Sequence, residues 1–134
     1  MILTVHTDGG ARGNPGPAAI GVLIEKDGTR LAGFGKKIGE TTNNVAEYTA
    51  VVEALKYIKL QIPGVSKIQF FLDSTLVVNQ LMGKFKVKES HLRELLFAVR
   101  QQEQEVGAAS IIYTAIPREQ NATADFFVNQ ALDA

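Results

Sequence analysis

The chain contains no cysteine. That absence excludes a disulfide framework, a thiol nucleophile and thiolate metal sites. An excess of charge is missing too: fourteen Lys and Arg balance fourteen Asp and Glu, so any polyanion must be met by local placement of charge and not by a global field. No apolar run approaches the roughly 18 residues of a membrane span, and the N-terminus lacks a signal-peptide pattern. The expected setting is therefore cytoplasmic, with no membrane partner. Only two histidines are present; His6 falls inside an apolar stretch and His91 starts a helical one, so both read as peripheral. No serine–histidine or cysteine–histidine nucleophile is set up. Repeats, low-complexity tracts and linkers are absent as well. What is there is 134 residues, 46% hydrophobic and 21% charged, the composition of a folded globular chain with the length of a single domain, 1–134.

Hydrophobic period gives the order of elements. Ile2, Leu3, Thr4 and Val5 lead as a strand into Asp8, after which glycines and prolines through Pro17 break regular structure, so Asp8 is expected at a strand end. Residues 18–25 and 30–38 read as two strands joined by Lys26-Asp27-Gly28-Thr29, because a type I′ hairpin turn needs positive φ at both central residues. Residues 43–60 change to a helical period, with Thr41, Thr42, Asn43 or Asn44 as cap and Pro63-Gly64 as stop. Lys67 to Leu72 is a strand ending on Asp73, and Thr75 to Met82 a short helix. Lys84-Phe85-Lys86-Val87-Lys88 makes a basic connection to a longer helix from about Ser90. Ser110 to Ile116 is a strand, Pro117 to Gln120 a loop, and Asn121 to Leu132 a last helix capped by Asn121. The order β-β-β-α-β-α-α-β-α implies an α/β fold: a mixed five-stranded sheet, three strands antiparallel and two parallel, with helices on both faces.

Four acids stand where the local pattern wants something else. Glu47 heads an apolar stripe through Ala50, Val51, Ala54 and Ile58, and Asp125 heads one through Val128 and Leu132. Taken singly, each is also explained by the helix dipole. Asp8 and Asp73 leave the C-terminal ends of two strands which, if parallel neighbours, put both carboxylates at the edge where open α/β sheets bind ligands. Singly, each is also a turn or cap residue. Converging acids repel and raise one another's pKa unless a cation neutralises them. Carboxylate oxygens without thiolate or clustered histidine select Mg²⁺ or Mn²⁺ over Zn²⁺. The chemistry that wants such a set is two-metal phosphodiester hydrolysis, with cations roughly 4 Å apart.

At this point the residues resemble a family. Thr-Asp-Gly-Gly-x-x-Gly-Asn-Pro-Gly-Pro at 7–17, Asn-Asn-x-x-Glu at 43–47, Asp-Ser at 73–74 and Pro-Arg-Glu-x-Asn-x-x-Ala-Asp at 117–125 look like type 1 ribonuclease H, in order and over nearly the whole chain. The resemblance implies cleavage of the RNA strand of an RNA/DNA hybrid, leaving 5′-phosphate and 3′-hydroxyl ends. It implies two Mg²⁺ per site, replaceable by Mn²⁺: Asp8 bridging both, Glu47 and Asp73 holding the leaving-group ion, Asp125 the water-activating one. It further implies that Asn14, Asn43 and Asn44 reach the minor groove, that Thr42 helps bind a DNA-strand phosphate, and that the protein acts as a monomer with no obligate protein partner. The Gly9-Gly10 backbone is expected to lie close to the sugar-phosphate because no side chain blocks it.

Three features depart from the pattern. Residues 117–124 lack the histidine many members carry before the final acid, which leaves Arg118 or Glu119 as auxiliary groups. The large basic protrusion of some members is reduced to Lys84, Phe85, Lys86 and Lys88, so hybrid affinity is expected to be modest and salt-dependent. No separate hybrid-binding domain is expected, and with it no processive action. Two other classes fit the residues less well. A catalytically silent hybrid-binding module gains nothing from four acids opposite phosphates. An exonuclease or sugar-kinase-like ATPase on the same fold lacks, respectively, an acid at Gly10 and the length for two lobes.

Overall fold

Long alternating stretches shape the first third of the chain into three strands in the computed structural model, which describes residues 1–134. These are β1 (Ile2–Ala11), β2 (Gly16–Lys26) and β3 (Thr29–Thr41). The β2–β3 turn has positive φ at both Asp27 (51°) and Gly28 (77°), as a type I′ hairpin requires. Then follow α1 (Asn43–Gln61), β4 (Lys67–Leu72), α2 (Thr75–Leu81), α3 (Ser90–Val106), β5 (Ser110–Ala115) and α4 (Ala122–Asp133). The sheet order is β3-β2-β1-β4-β5. The first three strands pair antiparallel, whereas β4 lies parallel to both β1 and β5.

Helix α1 starts where Thr42 Oγ1 accepts from the Val45 N–H at 3.3 Å and stops at Ile62, just before Pro63. Its flanks are buried almost all round, from Val45 to Ile58, because it lies between the sheet and α3. Burying apolar side chains on both sides of this helix is the main stabilising term of the fold. Tyr48 and Phe70 belong to that core, and the buried Tyr48 hydroxyl donates to Gln80 Oε1 at 2.7 Å, tying α1 to α2. Desolvation raises the Tyr48 pKa to about 12, so it stays a donor at any working pH. Helix α4 covers the opposite face over β1, β2 and β3. No helix is long and apolar enough to cross a membrane.

Three local expectations change. First, β1 does not end at Asp8. It loses β4 after His6 pairs with Phe71, but continues beside β2 as far as Ala11 opposite Ala18. Glycine is a poor strand former because it has no side chain to pack; here the missing side chain is what lets a helix lie directly on the strand. Second, Arg118–Gln120 is a 3₁₀ turn and not an open loop. Third, Asn121 stands at the N-cap of α4 as expected, but its side chain bonds no N–H of that helix; it is buried and bonded elsewhere.

Candidate metal centre

Side chains alternate across β1, so Asp8 and Gly10 face α4 while Gly9 faces α1. A Cβ on Gly9 would lie 2.2 Å from the Ala46 carbonyl carbon and 2.5 Å from the Glu47 nitrogen. The first turns of α1 therefore rest on bare β1 backbone, and this contact brings Glu47 beside Asp8. Asp73 directly follows the last residue of β4, the parallel neighbour of β1. Ligating oxygens of Asp8, Glu47 and Asp73 all lie within 4.8 Å of one another. Asp125, in the first turn of α4, stands outside that group yet lines the same cleft of about 380 Å³.

Burial and mutual repulsion govern the protons. Asp8 is pushed up to about 7, first by burial and then by the Asp73 charge; a hydrogen bond with Glu47 opposes this, the Asp125 charge adds to it, and the Gly9 N–H, 3.0 Å from Oδ1, opposes it again. Glu47 is raised well above the usual carboxylate range by burial, then by Asp8 and Asp73. The two titrate as a pair and hold a proton between them near neutral pH. Glu47 Oε2 is buried with no hydrogen-bond partner. An orphaned carboxylate oxygen among other carboxylates is a poor structural element and a good cation ligand. The donor set therefore fits a hard divalent cation and no thiolate-preferring one.

Around the acids, Gly9, Gly10, Asn43 and Asn44 line the cleft. Asn43 Oδ1 accepts from the Ala11 N–H at 2.9 Å, and the Asn43 N–H donates to Asn14 Oδ1 at 3.0 Å. Both asparagines spend their carbonyl oxygens on the backbone, which leaves their amide N–H groups as donors; Asn43 lines the cleft, whereas the exposed Asn14 lies next to it, outside the cleft wall. Thr42 sits behind them as the α1 cap. Lys84, Phe85 and Lys86 are exposed after α2 and are not part of the cleft wall. The structure also separates the two auxiliary candidates: Arg118 lines the cleft, whereas Glu119 borders a different hollow with His6 and Glu25. His6 itself stacks on Phe71 with ring centroids 5.2 Å apart, and His91 is exposed.

Sequence reasoning missed four cleft neighbours. Arg12 reaches across to Asp133 at 2.6 Å and lies at the limit of hydrogen bonding to Asn129, 3.5 Å. Asn129 in turn donates to the Asp125 carbonyl at 3.1 Å. Ser74 caps α2 through the Val77 N–H. Asn121, buried behind the acids, donates through Nδ2 to the Thr7 carbonyl at 2.9 Å and to Asp73 Oδ2 at 3.3 Å. Ser74 and Asn121 carried a signal, as the serine of the 73–74 motif and the asparagine of the 117–125 motif.

The chain is similar to known proteins. A family model described as reverse transcriptase-like matches residues 6–131. Ribonuclease HI of Halobacterium salinarum is 42% identical over 129 residues, 96% of this chain and 63% of that protein. A bifunctional protein of Mycobacterium tuberculosis is 39% identical over the full chain, which spans only 36% of it. Among solved structures, LC11-RNase H1 in complex with RNA/DNA hybrid superposes with a TM-score of 0.92 at 42% identity, covering 98% of this chain and 96% of that one. The crystal structure of the Halobacterium salinarum enzyme gives 0.92 at 36% identity, covering 99% and 98%.

Proposed function

The chain belongs to the type 1 ribonuclease H family, and from that membership we propose that it is an endoribonuclease hydrolysing the RNA strand of RNA/DNA hybrids to 5′-phosphate and 3′-hydroxyl ends. The observation that carries this reading is the convergence of Asp8, Glu47 and Asp73 within 4.8 Å, with one buried Glu47 oxygen unpartnered. Those three and Asp125 would hold two Mg²⁺ ions, or Mn²⁺ in their place: Asp8 shared, Glu47 and Asp73 on the leaving-group side, Asp125 on the side of the attacking water. When bound, such a pair supplies an activated water and stabilises the leaving oxygen.

The chain's own groups do the rest. Free amide N–H groups of Asn43 in the cleft wall and of Asn14 beside it suit the acceptor-rich minor groove of an A-like hybrid, where 2′-hydroxyls are displayed. Asn44 adds a third amide. Gly10 keeps the cleft wall low, Thr42 offers a phosphate contact, and the exposed Lys84, Phe85 and Lys86 extend the binding surface outward. Arg118 takes the auxiliary place of the missing histidine as a fixed cation near the phosphate. The protein works as a monomer.

The test is incubation of labelled RNA/DNA hybrid, RNA duplex, DNA duplex and single-stranded RNA with Mg²⁺ or Mn²⁺. Cleavage of the hybrid alone, abolished by EDTA, is the expected outcome; undiminished cleavage in excess EDTA would sink the proposal. Hybrid binding with no metal-stimulated cleavage would make the protein a silent binding module.

A further inference from the structure

Asn121 is bonded to both halves of the carboxylate set. Its Nδ2 donates to Asp73 Oδ2 at 3.3 Å and to the Thr7 carbonyl, next to Asp8, at 2.9 Å. Its backbone carbonyl accepts from the Asp125 N–H at 3.1 Å. One residue thus touches the strand that carries Asp8, the acid at the end of β4, and the acid that stands apart on α4. Both neighbours of Nδ2 are acceptors only, so the amide orientation is set by its surroundings. The bland alternative is a helix cap, and it fails on contact: the side chain bonds no N–H of α4, and Oδ1 is buried without a partner. At 1% exposure, an amide with one unsatisfied oxygen is an expensive filler. Its retention at this point makes sense through what its nitrogen holds.

We propose that Asn121 is a positioning residue, its side-chain amide fixing the Asp73 carboxylate against the strand that carries Asp8. The role rests on the metal-dependent reading of those acids above. A carboxylate held by a neutral donor keeps its charge and its remaining lone pairs for an ion, and a partner behind a ligand fixes its orientation.

The experiment uses Asn121→Ala and Asn121→Leu, the second keeping most of the volume while removing the donor. Mn²⁺ binding is measured by calorimetry without nucleic acid, and kcat and KM for hybrid cleavage at saturating Mn²⁺. Both variants are expected to remain folded by circular dichroism, to bind Mn²⁺ about 10-fold or more weakly, and to lose about 10–100-fold in kcat; KM for hybrid stays within about twofold, since no proposed hybrid contact is removed. A folded variant whose Mn²⁺ affinity and kcat match the parent would overturn the proposal. So would loss of fold in both, because the role would then be purely structural. A parent that binds Mn²⁺ but does not cut hybrid would defeat the functional reading alone, with the variants' Mn²⁺ affinities still deciding the role of Asn121. A parent that binds no Mn²⁺ would remove both.

Discussion

Asp8 is an acid whose pKa rises on folding, from 3.8 to about 7. Between those values the folded, metal-free chain keeps a proton that the unfolded chain has released. Stability contributed by this group is complete below about pH 4 and is lost as pH rises towards 7. Glu47 is raised for the same reasons and acts in the same direction. In EDTA, the melting temperature is therefore expected to fall between pH 4.5 and 7.5, by an amount equivalent to ~3 kcal/mol, and Mg²⁺ or Mn²⁺ at pH 7.5 should restore it. Asp8→Asn removes the charge and the repulsion together. It should abolish cleavage, yet melt higher than the parent in EDTA at neutral pH. Thermal melts across pH with and without metal check both statements; a metal-free melting temperature that climbs with pH would contradict the account of the site.

At the scale of elements, the position of Glu47 is set by how closely α1 rests on β1, and Gly9 sets that closeness. A methyl group there would overlap the Ala46 and Glu47 backbone at 2.2–2.5 Å, whereas at Gly10 the nearest atom is Val128 Cγ1 at 3.6 Å. Gly9→Ala must push the helix away, at a cost of about 1–3 kcal/mol, and should lower activity more than stability alone explains because Glu47 moves with the helix. Gly10→Ala should leave the melting temperature unchanged. Equal effects from the two substitutions would show that the close approach is not what matters. The glycine pair was legible in sequence as a thin stretch beside an acid, and both glycines line the cleft, but only Gly9 also lies so close under α1 that a side chain would not fit. Gly9 is thin for the helix. Nothing local distinguishes the two glycines, since the difference lies in which face of the strand each presents.

For the molecule as a whole, a formal net charge of zero means that hybrid affinity must come from a few placed cations. Lys84 and Lys86 are exposed beyond the cleft wall, while Arg12 is already paired with Asp133. Replacing both lysines by glutamine should raise KM and flatten the plot of log KM against log salt by about 1–2 in slope, with kcat little changed. An unaltered slope would mean that the hybrid does not pass over this segment.

By itself, the sequence determined the element order, the positive-φ turn at Asp27 and Gly28, a cap for α1 among Thr41 to Asn44 and the four acids that line one cleft. Each of those is written in a local period, a backbone preference or a short motif, which a few neighbouring residues are enough to express. Only the tertiary structure decided that β1 continues past Asp8, that Arg118 and not Glu119 faces the acids, and that Asp125 stands apart from the other three. It also decided that the Asn121 side chain bonds Asp73 and not an N–H of its own helix. Those outcomes depend on contacts between residues far apart in the chain, such as Asn121 with Thr7, and the pattern around either partner records its own helix or strand without recording what the fold will place against it.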